Sequence, residues 1–113
     1  MKITTKKTLD VTPSLEVYIE KKLSPLGKFL KSFEESGELE LWLEVARTSA
    51  HHKKGEDIFM AAVDLRLPKK ALHAEASAGD IRTAIDNVRE RIQMEIEKYK
   101  DQYFDRHREE KKQ

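Results

Sequence analysis

His51 and His52 are the side chains best suited to ligating a metal, and their setting argues against it. Adjacent residues of an extended loop point apart, and His73 and His107 supply no third ligand at regular spacing, so the pair reads as part of a solvated loop. Cysteine is absent, which removes thiol nucleophiles, disulfides and cysteine metal sites. No glycine-rich phosphate loop stands out, and no Ser or Thr sits in an elbow-like glycine context. A catalytic role, a metal and a cofactor are therefore not expected. What remains is charge. With 22 Lys and Arg against 21 Asp and Glu, the formal net charge is +1, so the whole chain carries no nucleic-acid signal. Any basic site has to come from local segregation of those charges.

The longest element that could segregate them runs from Asp80 to about Phe104. Ile81, Ile85, Val88, Ile92, Ile96, Tyr99 and Tyr103 recur every three or four residues, the period of one helix face. Asp80 suits the N-cap, since its carboxylate can accept from a first-turn amide, and Gly79 before it lets the chain turn. At about 100° per residue, Arg82, Arg89, Gln93 and Lys100 fall on one flank of the stripe, and Arg91 and Lys98 on the other. Asp86, Glu90, Glu97 and Asp101 fall opposite the core. Taken alone, these charges read as a mixed solvated surface.

A second helix starts at Thr12-Pro13, with Thr12 as N-cap and Pro13 where its missing N–H is not needed. Leu15, Ile19, Leu23, Leu26, Leu30 and Phe33 form its buried stripe, with Lys21, Lys28 and Lys31 towards the opposite side. Pro25 predicts a kink or break near Ser24 in an otherwise continuous axis, and Gly37 is the end signal. Four stretches have period two instead. Residues 2 to 8 expose Lys2, Thr4 and Lys6 and turn Ile3 inward. From Glu38, Leu39, Leu41, Leu43 and Val45 alternate with Glu38, Glu40, Trp42 and Glu44. Asp57 to Leu67 alternates Phe59, Ala61, Val63, Leu65 and Leu67 with Met60, Ala62, Asp64 and Arg66. Arg47 to Glu56 reads as a polar loop and Pro68-Lys69-Lys70 as a turn. Ala71 to Ser77 makes a short last strand with Leu72, Ala74 and Ala76 inward and His73 and Glu75 outward.

The expected fold is α+β, a β-α-β-β-β-α two-layer sandwich in which two helices pack on one face of a four-stranded sheet. Its first two strands should be parallel and the later neighbours antiparallel. The open face would carry Glu38, Glu40, Trp42, Glu44, Asp64 and Glu75 and should be acidic. With 113 residues there is room for one domain, residues 1–104, followed by a charged tail at 105–113 that is expected to be mobile. Met1-Lys2-Ile3 lacks the apolar run of a signal peptide, and no stretch approaches membrane-spanning length. A cytoplasmic protein, not a membrane one, is expected.

These elements, with DVTPSLEVYIEKKLSPLGKF at 10 to 29, His52-Lys53-Lys54-Gly55 ahead of a strand, Leu72-His73-Ala74-Glu75, Asp80 with Ala84-Ile85-Asp86, and Lys98-Tyr99-Lys100, carry a resemblance. The chain resembles the ribosome hibernation-promoting factors, also called ribosome-associated translation inhibitors, over nearly its whole length. The resemblance implies the same sandwich fold. It also implies docking in the small ribosomal subunit where mRNA and tRNA would bind, which shuts idle ribosomes down. The implied partner is small-subunit rRNA, bound through its phosphate backbone, with ribosomal proteins as further contacts, and the protein is expected to be a monomer off the ribosome. The family's basic positions on the first helix match Lys21, Lys22 and Lys28, those on the last helix match Arg91, Lys98 and Lys100, and its basic loop matches Lys53 and Lys54. Arg82 and Arg89 extend the same surface beyond the family pattern. Such a site would work by charge and counterion release, with shape doing the selecting.

Three positions depart from the family pattern. Glu95 stands where the family often has Gln, Glu97 where it often has Arg, and Met94 replaces a common basic residue, which predicts weaker affinity or a shifted footprint. The end at Gln113 leaves no room for the carboxy-terminal domain with which long members pair ribosomes, so a short-form member is expected. Two other readings compete with an RNA-docking inhibitor. One is a protein-interaction module of the same fold that uses the acidic sheet face around Trp42. The other, more remote, is a small metal-dependent hydrolase built on His51 and His52.

Overall fold

The computed structural model describes the backbone of residues 2–7, 11–31, 39–48, 58–67 and 70–111, with side chains at all of these except 7, 48 and 103–111. His51, His52, Lys53 and Lys54 lie outside the described residues, as do Phe33, Gly37, Glu38, Pro68 and Lys69. Strand β1 (Lys2–Lys7) leads to helix α1 (Pro13–Leu23), a 3₁₀ segment (Ser24–Leu30), strands β2 (Glu40–Thr48), β3 (Ile58–Arg66) and β4 (Ala71–Ala78), and helix α2 (Ile81–Lys111). The sheet has four strands in the order β1-β2-β3-β4. β1 runs parallel to β2, and the other two pairs are antiparallel. This is the expected β-α-β-β-β-α, α+β fold.

Local chemistry accounts for the element ends. Thr12 Oγ1 accepts from the Leu15 amide at 3.1 Å, and Pro13 follows it into α1. Ser24 N–H still donates to the Glu20 carbonyl, but Pro25 has no N–H to continue the pattern, and the chain tightens there into the 3₁₀ segment. Leu23, Leu26 and Leu30 stay fully buried across the change, so the apolar stripe crosses the break. At the start of α2, Asp80 accepts from the Thr83 amide at 2.9 Å and from the Thr83 hydroxyl at 2.6 Å. Those two bonds, the hydroxyl's the larger influence, hold its carboxyl below the usual carboxylate range.

Register then decides which side chains share a face. Leu41 pairs with Leu65, Leu43 with Val63 and Val45 with Ala61, and these pair in turn with Leu72, Ala74 and Ala76 of β4. All nine belong to one buried cluster with Leu15, Ile19 and Leu23 of α1 and Ile85, Val88, Ile92 and Ile96 of α2. Both helices therefore cover the same sheet face. Each strand's period of two supplies one wall of that cluster and each helix's longer period supplies the other.

Two boundaries differ from the sequence reading. β2 continues through Arg47 and Thr48, which were expected in a loop, because β3 offers partners as far as Phe59 and Ile58. The Arg47 guanidinium lies 5.9 Å from the centre of the Phe59 ring. α2 runs on to Lys111, so helical backbone covers residues 105–111, which the sequence reading assigns to a tail. The apolar stripe has ended by then. Five of the seven residues at 105–111 are Arg, Glu or Lys, which are good helix formers, and backbone hydrogen bonds propagate an existing helix through them.

The open face of the sheet is less acidic than its β2 residues suggest. Lys2 stands beside Glu40 and Lys6 beside Glu44, while Arg66 faces Glu40 from the other side. Lys2, Lys6 and Arg66 thus nearly balance Glu40, Glu44, Asp64 and Glu75. Trp42, 40% exposed, is held among them: its Nε1 donates to Glu40 at 3.2 Å and the Arg66 guanidinium lies 5.7 Å from its ring. His73 bridges Asp64 (2.7 Å from Nδ1) and Glu75 (2.8 Å from Nε2). Because both carboxylates accept from the protonated ring, Asp64 with the larger effect and Glu75 next, they raise its pKa. A His pKa raised by folding stabilises the fold fully below the unfolded value, about 6.5, and that contribution fades as pH rises through the folded value.

Two predictions follow from this arrangement. Ile92, fully buried at the centre of the α2 stripe, should lose about 2–5 kcal/mol on Ile92→Ala. A chemical-denaturation midpoint equal to the parent's would remove that stripe from the core. In an NMR titration the His73 ring should show a midpoint above the ordinary histidine value, and Asp64→Asn should bring it down. An unmoved midpoint in Asp64→Asn would show that the bridge does not persist in solution.

Candidate nucleic-acid interface

Helices α1 and α2 lie side by side on the sheet, and the seam between them is lined by charge. Arg82 and Arg89 stand on the α2 flank that meets α1, as their spacing of seven residues requires. Arg82 donates to Ser14 Oγ at 2.9 Å, and its guanidinium lies 4.7 Å from the centre of the Tyr18 ring. Arg89 Nε donates to the Lys22 carbonyl at 3.3 Å. Lys22 in turn places its ammonium 5.6 Å from the Tyr18 ring and 3.5 Å from Asp86 Oδ1. The Tyr18 hydroxyl donates to the same Asp86 oxygen. That bond, followed by partial burial, pushes the Tyr18 pKa up, because losing the phenolic proton would set two anions against each other.

Beside this knot lies an open groove of about 420 Å³, lined by Lys21, Lys22, Pro25, Asp86, Arg89 and Glu90. Three cations and two carboxylates line it. Pro25 helps to shape its wall where the α-helix gives way to the 3₁₀ segment. Lys22 and Arg89 are held by their own bonds and lose little freedom on meeting a phosphate beside the groove, while Asp86 and Glu90 oppose one lying along it.

The residues expected to contact RNA divide by location. Lys21, Lys22, Arg82 and Arg89 come together at the α1–α2 seam. Lys28 is exposed on the 3₁₀ segment. Arg91 and Lys98 lie on the other flank of α2, where Arg91 donates to the Glu75 carbonyl of β4, and Lys98 is exposed. Lys100 is half-buried, and Lys53 and Lys54 fall outside the described residues. Sequence reasoning missed Tyr18 and Asp86 as site residues. Spacing alone puts Asp86 opposite the core, yet it faces α1, four residues after Arg82 and three before Arg89, and its partner there is 68 residues away.

Among the described residues no cluster of three or more His, Cys, Asp or Glu is placed to hold a metal ion. Nor is any described helix long and apolar enough to cross a membrane. A second groove, about 410 Å³, lies on the open sheet face and is lined by Lys6, Trp42, Glu44, Asp64 and Arg66 among others. Its charges are mixed and its aromatic residue is already engaged by its neighbours.

Comparison with known proteins agrees with the fold. The N-terminal domain of Thermus thermophilus Protein Y has a similar structure, with 22% sequence identity and a TM-score of 0.59 over 87% of this chain and 94% of that one. A ribosomal subunit interface protein from Coxiella burnetii is also similar, with 19% identity and a TM-score of 0.63 over 88% of this chain and 98% of that one. No curated protein matches the chain. The family model described as Sigma 54 modulation protein / S30EA ribosomal protein matches residues 1–103, and with that extent of match the chain belongs to this family.

Proposed function

We propose that this protein is a non-enzymatic, cytoplasmic translation inhibitor. It docks its helical side on the small ribosomal subunit, in the channel where mRNA and tRNA bind, and so holds idle or stressed ribosomes silent. The observation that carries this reading is the α1–α2 seam, where Lys21, Lys22, Arg82 and Arg89 converge in a chain of a ribosomal protein family. Lys28 and Lys98 extend the positive surface along the 3₁₀ segment and α2, and Lys53 and Lys54 are further candidates. Arg91 and Lys100 complete the set on α2. The rRNA backbone is the partner, contacted by charge without a base code. The names of the similar proteins, one a ribosomal subunit interface protein, support the same assignment.

Off the ribosome the protein acts as a monomer in this reading. The competing surface is the open sheet face around Trp42, whose 40% exposure is the observation in its favour. It would bind a protein partner, and its binding would depend weakly on salt.

Co-sedimentation with purified small subunits at low and high salt separates the two. Reversing Lys21, Lys28 and Lys98 to Glu should leave the circular dichroism and melting of the protein unchanged, because all three are exposed. Subunit binding should fall sharply, and the log–log salt slope should become shallower by about one unit for each contact removed. Reversing Glu40 and Glu44 to Lys on the sheet face should not weaken binding. If the helix-side variant binds like the parent and the sheet-face variant does not, the docking surface is the wrong one.

A further inference from the structure

The α1–α2 groove contains an anion of its own. Asp86 Oδ1 accepts from the Tyr18 hydroxyl and lies 3.5 Å from Lys22 Nζ, in the space that a phosphate would approach. An unrestrained carboxylate would swing away from an incoming phosphate. This one is tied by Tyr18, whose ring is packed near Arg82 and Lys22, so it stays among the cations. A phosphate that lies along the groove must therefore compete for Lys22 and meet a fixed like charge, with Glu90 as a second one at the same wall.

A flexible single strand settles wherever positive charge is densest and would be penalised here. A folded RNA of fixed shape can present its phosphates to Lys21, Lys28, Arg82 and Arg89 while leaving the Asp86 position empty. Repulsion that falls on wrong partners more than on the right one is how specificity is gained when the attraction is generic. We propose that Asp86, held by Tyr18, is a selectivity residue that lowers the protein's affinity for flexible polyanions while sparing a rigid RNA surface. The inference rests on the helical side being the RNA-docking surface.

Asp86→Asn tests it, because the amide oxygen can still accept from Tyr18 while the charge is gone. Asp86→Ala removes both, and Asp86→Glu keeps the charge. The probes are poly(U), followed by fluorescence anisotropy, and purified small ribosomal subunits, followed by sedimentation. Asn and Ala should each raise poly(U) affinity by about three- to tenfold at about 50 mM salt, with a log–log slope steeper by about 0.7, one added single-strand contact. Asp86→Glu should match the parent. Subunit affinity should change by less than about twofold, so the ratio between the two RNAs falls.

No gain on poly(U), an equal gain on subunits, or a gain in Asp86→Glu as large as in Asp86→Asn would overturn the proposal. The docking reading fails separately, on the parent's failure to sediment with subunits, and the poly(U) comparison among variants still decides what the Asp86 charge does.

Discussion

One-sided burial is the constraint from which the rest of this structure follows. The inward rows of β2, β3 and β4 form an apolar surface that water cannot satisfy, and among the described residues α1, the 3₁₀ segment and α2 cover it. Covering it uses the Leu15, Ile19 and Leu23 stripe of α1, the Leu26 and Leu30 continuation, and the Ile85 to Ile96 stripe of α2. Each buried branched side chain contributes about 1.5–3 kcal/mol relative to exposure, against the entropy lost in ordering the chain. No arrangement with a helix on each face would bury both stripes, because the open face carries Glu40, Glu44, Asp64, Arg66 and His73.

Once both helices share a face, their flanks must meet, and that meeting creates the charged seam. Tyr18, too polar at its tip for the core, lies at the edge of the α1 stripe and finds Asp86 across the seam. Arg82 and Arg89 are brought against α1 by the same spacing that buries Ile85 and Ile92. The groove's charge is therefore a by-product of core geometry. Lys22 and Arg89 are fixed there by a carboxylate and a backbone carbonyl, which limits the freedom they would lose on meeting an anion. The other flank of α2 is put to a different use, since Arg91 satisfies a carbonyl of edge strand β4.

The two faces of the molecule also differ in how their charges are spent. On the sheet face, cross-strand neighbours pair opposite charges, and His73 between two carboxylates makes that pairing depend on pH. On the helical face, cations outnumber carboxylates in the groove, and Asp86 offsets one of them. In a chain with a net charge of only +1 the excess in the groove is local, because the fold brings together there residues that the sequence interleaves.

Periodicity by itself determined the element types, the inward rows, both N-caps, the effect of Pro25 and the β-α-β-β-β-α order. Each depends on residues within a turn or two of one another, and local spacing records them directly. Helical spacing also set Arg82 and Arg89 on one flank of the α2 stripe, whereas Lys21 and Lys22 were singled out by the family resemblance and not by period. Element ends were less legible: β2 extends past Val45 because β3 pairs with it, and α2 outlasts its apolar stripe because helix propagation needs no core contact. The face balance of the open sheet and the place of Asp86 were decided only by tertiary structure. Lys2 and Lys6 neutralise β2 through register across a parallel crossover, and Asp86 accepts from a hydroxyl 68 residues away. Charge acts through space, so which charges cancel depends on neighbours that sequence spacing cannot supply.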